Sequence, residues 1–157
     1  MASLVMLLQF LAPLLFAMVA GSVFGIWRGY DPTTYGAATF VEMHQGAVRG
    51  LNVLLPGLAF ASVACTVALT WFARGKGTVF WLYIAALLLM VGGGLVTRFV
   101  NQPMNEQVMS WTTGSLPADW AELRAAWWNW HVVRTGLSVI GFAVLLAAVL
   151  QDQGSPG

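Results

Sequence analysis

Charge is what this chain has least of. Of its 157 residues, seven are Lys or Arg and six are Asp or Glu, 8% in all, against about 25% in an ordinary soluble domain. So few charges could not cover the surface of a soluble protein of this size, which excludes a soluble enzyme and a disordered chain. The net charge of +1 carries no basic excess and excludes a nucleic-acid binder. A single cysteine, Cys65, excludes an intrachain disulfide framework and a multi-cysteine zinc site. What is abundant is apolar: 59% of the residues are hydrophobic. The class that remains is a small integral membrane protein.

A bilayer-crossing helix needs about 20 mainly apolar residues. Four segments qualify, at 3–27, 51–72, 78–100 and 132–150. The first is expected to be a retained helix rather than a signal peptide. No Lys or Arg precedes it, and its apolar run exceeds the usual h-region of about 7–15 residues. The expected fold is all-α: a four-transmembrane-helix bundle, one domain over 1–150, followed by a flexible tail, 151–157 (QDQGSPG). An even number of spans puts both termini on one side with the link 73–77 (ARGKG), and both long loops, 28–50 and 101–131, on the other. Arg74 and Lys76 in the shortest loop favour termini on the cytoplasmic side of a bacterial cytoplasmic membrane.

Neither long loop reads as disordered. Asp31-Pro32-Thr33-Thr34 predicts a turn, and 35–48 a helix leading into the second span. Pro103 and Pro117 suit the first turns of two further short helices, 103–111 and 117–130. Six of the eight tryptophans, Trp127 among them, lie at this end. Gly92-Gly93-Gly94 in the third span predicts close packing, within the chain or between chains of an oligomer.

Polar residues inside spans are costly and mark function. They gather at the loop end. Gln45, Arg49, Asn52 and Pro56 are spaced four, three and four apart, one helical stripe entering the second span. His44 is one position away and Glu42 a turn earlier. Arg98, Asn101 and Asn105 leave the third span, and Trp127, His131 and Arg134 enter the fourth, again at helical spacing. Three helices thus aim polar stripes at one depth, and the other end has almost none. Singly, each has a plain explanation: snorkelling arginines, asparagines gluing helices, a tryptophan belt, and a solvated loop face for Glu106, Asp119, Glu122 and Arg124. Their convergence is what points to a site.

Arginines and asparagines suit an oxygen-rich ligand such as a quinone or phenolate. A histidine can move a proton, and tryptophans give flat walls for a ring. His44 and His131, with Glu42 as a third group, could instead hold a metal ion, or the two histidines a haem. Two function classes follow. One is a membrane oxygenase acting on a hydrophobic aromatic with O2. The other is a non-catalytic membrane subunit that carries haem, metal or quinone, or acts as a scaffold.

The segment Thr97–Asn105 (TRFVNQPMN) resembles the N-x-P-x-N signature ending the third span of the anthrone-oxygenase-like membrane family. The segment Trp127–Thr135 (WWNWHVVRT) resembles its W-x-x-x-H/N-x-x-R-T signature opening the fourth, and the Gln45–Pro56 stripe resembles its second-span pattern. The resemblance implies oxidation of anthrones, often polyketide-derived, to anthraquinones by O2, without need of a cofactor. It implies Asn101, Asn105, His131 and Arg134 as catalytic residues, with His131 as base. Arg49, Asn52, Arg98, Gln45 and Trp127 would bind the substrate. His44 has no counterpart in those signatures.

Overall fold

Apolar runs of this length, with every backbone group bonded inside the segment, form helices in a bilayer. The computed structural model describes residues 1–154, and among them four helical stretches are long and apolar enough to cross a membrane. Helix α1 is Ala2–Gly29, and a 3-10 turn, Pro32–Thr34, follows it. Helices α2 (Ala37–Leu51) and α3 (Leu54–Phe72) make the second stretch. Helix α4 (Thr78–Val96), a π turn (Thr97–Asn101) and α5 (Gln102–Met109) make the third, and α6 (Trp120–Gly154) the fourth. The protein is an all-helical four-span integral membrane bundle. α4 packs most extensively on α6, and α1 on both α3 and α6.

The expected turn is made by Asp31, whose Oδ1 accepts from Thr33 N at 2.9 Å and from Thr33 Oγ1 at 2.6 Å. The 73–77 link turns on Gly75 and Gly77, both at positive φ, where a side chain would be strained. The short helices of the loops are extensions of spans rather than separate pieces. At 35 residues, α6 is about 52 Å long, far more than the roughly 30 Å of hydrocarbon. Its first turns therefore stand outside the apolar layer and carry Trp120, Trp127, Trp128 and Trp130. Most of the expected tail is helix as well. α6 runs through Gly154, with Asp152 buried; residues 155–157 lie outside the described residues.

Pro103 does not end its helix. Its missing N–H and its ring disfavour the ordinary bond to the carbonyl four residues back. The backbone widens just upstream, where the Gln102 N–H bonds the Thr97 carbonyl, an i→i−5 bond. The widening turns both Asn101 and Asn105 into the bundle, where they are buried.

The interior is layered. Towards the termini is a dry core that includes Phe16, Leu69, Tyr83, Met90 and Leu145. Glycine allows its closest contact: a Cβ on Gly141 would come within 3.2 Å of Leu89 Cβ and 3.4 Å of Phe16. Of the three consecutive glycines, Gly92 and Gly93 face α6, most closely Gly93, where a Cβ would meet Ser138 Oγ at 3.4 Å. At the loop end a smaller cluster, Phe40, Val41 and Val108, packs with Trp111, Trp120 and Leu123 as a cap. Between core and cap lies a cavity of about 390 Å³.

A second polar cluster sits at the termini end, which the sequence pattern left almost empty. Asp152 Oδ2 accepts from Gln9 Nε2 at 2.9 Å and from the Tyr83 hydroxyl at 3.3 Å, and Oδ1 pairs with Lys76 Nζ at 2.6 Å. It ties α1, α4 and α6 to the short link.

Candidate functional site

The cavity takes its polar wall from three helices and one helix junction. His44 comes from α2, Asn52 from the α2–α3 junction, Asn105 from α5, and Trp127 and Arg134 from α6. Trp127 organises them. Its indole N–H, which can only donate, gives to Asn105 Oδ1 at 2.8 Å. That fixes the amide: Asn105 Nδ2 donates to Asn52 Oδ1 at 3.2 Å. It fixes His44 too. Nε2 lies 3.1 Å from the same Asn105 Oδ1 and must donate to it. In the neutral ring Nδ1 then holds the lone pair, and this atom is buried without a partner. The His44 ring meets the Trp127 ring edge-on, with centroids 4.7 Å apart.

Arg134 is positioned from the other side. It donates from Nε and Nη2 to His131 Nδ1 at 3.1 and 2.9 Å, and from Nη1 to Thr97 Oγ1 at 3.3 Å. Its guanidinium lies 5.9 Å from the Trp127 ring centroid. Among the described residues the ion pair is Lys76–Asp152, at the far end. Arg134 therefore faces the cavity with no carboxylate beside it. The Tyr30 hydroxyl, at the end of α1, is also buried without a partner in residues that line the cavity.

Of the residues expected to form the site, the fold brings Asn52, Asn105, Trp127, Arg98 and Arg134 to the cavity wall. Arg98 is exposed at its edge and donates to Gln102 Oε1 at 3.4 Å. His131 lies behind the wall. It is fully buried, stacks on Trp127 and Trp128, and its Nε2 donates to the Val23 carbonyl at 3.1 Å. With Nδ1 accepting from Arg134, neither nitrogen keeps a free lone pair. Asn101 is also behind the wall, pinning the π turn to α6 through Nδ2 to the Trp127 carbonyl at 3.2 Å. Gln45 closes the C-terminal end of α5, bonding the Val108 and Trp111 carbonyls at 2.9 Å each. Arg49 and Glu42 are exposed.

The histidine pair does not fit a metal ion or a haem. His131 has both nitrogens engaged, and Glu42, two positions from His44, is carried about 200° round the helix away from it. Among the described residues no three His, Cys, Asp or Glu side chains come together as ligands. The tryptophans divide similarly: Trp127 lines the cavity, while Trp111 and Trp120 build the cap. Arg124, expected on a solvated face, donates to the Tyr35 carbonyl at 2.7 Å and ties the two loops together.

A family model described as Anthrone oxygenase matches residues 45–144, which is 100 of the 157 residues. The chain belongs to the anthrone oxygenase family. No match was found among the curated proteins or the solved structures compared with it. Anthrone oxygenase membership carries an oxygenase-like function in general terms. The matched stretch contains Asn52, Asn105, Trp127 and Arg134. It starts one residue after His44, so His44 and Tyr30 lie outside it.

Sequence reasoning missed two cavity-side groups, Tyr30 and Thr97, and gave His44 a ligand's role rather than a base's. Thr97 carried a signal, since it stands one turn before Asn101 on the same helix. Tyr30 carried none, because a tyrosine just past a span reads as interfacial.

Proposed function

We propose that the protein oxidises a phenolic anthrone-type ring system with O2, in the cavity beneath the cap. The observation that carries this is Arg134, a charge without a carboxylate partner, held rigidly at a cavity whose other unsatisfied groups are a lone pair and a hydroxyl. Such a site stabilises an anion as it forms.

The chemistry starts at the central CH2 of the anthrone. His44 Nδ1 takes one proton, and the electron pair delocalises onto the ring oxygen as a phenolate. Arg134 and the Tyr30 hydroxyl hold that oxygen. The carbanion carbon transfers electrons to O2 and forms a C–O bond, and the proton returns to the outer oxygen as a hydroperoxide. Loss of the second C–H proton then breaks the O–O bond and makes the new C=O. The leaving hydroxide and that proton form water. One anthrone and one O2 give one anthraquinone and one water, with O2 as the sole oxidant. The general base is placed on His44 rather than His131 because His44 keeps a free lone pair. His131, Thr97, Asn101 and Asn105 position the reacting groups.

The test is oxygen uptake by purified protein with an anthrone. The expected result is quinone formation well above the spontaneous rate, one O2 per anthrone, no hydrogen peroxide, and one labelled oxygen in the quinone from labelled O2. Uptake at the spontaneous rate contradicts the proposal.

A further inference from the structure

The cavity is much longer than a fused ring system needs. Along α1 and the residue that ends it, the wall runs Phe16, Val19, Val23, Ile26, Tyr30, a stripe spaced three, four, three and four. Fourteen residues of helix separate its ends, about 21 Å. The polar groups gather at one end, with Tyr30, His44, Asn105 and Arg134, and the Ser138 hydroxyl one turn deeper is spent on the Arg134 carbonyl. The other end is lined by Phe16, Ala59, Val63 and Met90, beside the dry core. One side is thin. Phe60 of α3 and Val91 and Leu95 of α4 line the cavity and are 77%, 45% and 52% exposed, so the cavity is open between these helices. These residues lie within spans, so the outside they face is lipid.

We infer that the natural substrate is a phenolic ring system carrying an apolar chain, which enters sideways from the bilayer between α3 and α4. The ring occupies the polar end against Trp127, and the chain fills the apolar slot towards Phe16 and Met90. A compact anthrone would occupy the polar end and leave the slot unused. An apolar slot without a chain would lose the dispersion contacts of its walls. The inference rests on the phenolic substrate proposed above and adds the chain and its route.

The test is photolabelling, which needs no turnover. The probe is a hydroquinone with an octyl chain ending in a diazirine, added to the full-length protein in lipid nanodiscs. The expected adducts fall on Phe16, Val63 or Met90. An unlabelled octyl hydroquinone suppresses them, and octane at the same concentration does not. Val63→Trp, which fills the slot, lowers labelling about tenfold. Adducts confined to outward residues away from the cavity, such as Leu88 or Phe99, overturn the inference, as does equal competition by octane, which would make the slot a lipid site. Absence of adducts in a protein that still turns over an anthrone also overturns it, and leaves the proposed activity standing.

Discussion

The two ends of the bundle each bury a polar cluster, and they finish the job differently. At the termini end, both oxygens of Asp152 are engaged by Gln9, Tyr83 and Lys76, and charge meets opposite charge. That cluster is closed: every group has a partner supplied by the fold. At the loop end the network runs Trp127 to Asn105 to His44, and His131 to Arg134, and then stops. His44 Nδ1 and the Tyr30 hydroxyl have no partner, Arg134 has no carboxylate, and all three residues line a cavity. Buried polar groups are normally satisfied, so an end left incomplete around a cavity is the end that waits for a ligand. Polarity alone does not mark a site, nor does one unpartnered atom, since Asn101 Oδ1 and Arg124 Nε are also buried without partners away from the cavity; unpartnered groups gathered at a cavity do.

That contrast can be broken by substitution. The largest effect is expected at the open end. His44→Gln keeps a donor for Asn105 but has no basic nitrogen, and anthrone turnover should fall about 10²–10⁴-fold while the protein stays folded. Turnover within a few-fold of the parent would remove His44 as the base. Next comes the closed end. Asp152→Ala leaves Gln9, Tyr83 and Lys76 without their acceptor and should cost about 2–4 kcal/mol of stability. The Lys76 side chain is 44% exposed, so its share is the screened and smaller one. Thermal unfolding should shift down by several degrees, with turnover per folded molecule unchanged. A loss of turnover without a stability change would make this end a site too. The smallest effect is expected at Arg49, which is exposed. Arg49→Ala should leave turnover within about twofold; a larger loss would put it back in the site.

The spans were legible in the sequence because 20-residue apolar runs admit few other structures. The convergence of Asn52, Asn105, Trp127 and Arg134 was legible too, since helical spacing and the family signatures agree on them. Arg49 was misplaced because the stripe arithmetic ran one straight helix from Gln45 to Pro56. The helix breaks at 52–53, and the inward face of α2 is the one bearing Phe40 and His44. Near the surface of a bilayer, the charged face of such a helix turns outward. The hydrogen bonds of His131 to Val23 and Arg134 were not legible, because they depend on three-dimensional neighbours that spacing does not report. The Asp152 cluster was invisible for the same reason: Gln9, Lys76 with Tyr83, and Asp152 come from three distant stretches of the chain.

The central claim is that the open end holds an anion through Arg134. A hydroxyanthraquinone bound to the purified protein reports this directly, because its phenolate has its own visible band. Titrated with pH, the bound molecule should ionise at least about one pH unit below the free one in the same detergent. Arg134→Met should remove the shift. Ionisation at the same pH or higher when bound, or a shift that survives Arg134→Met, would contradict the claim.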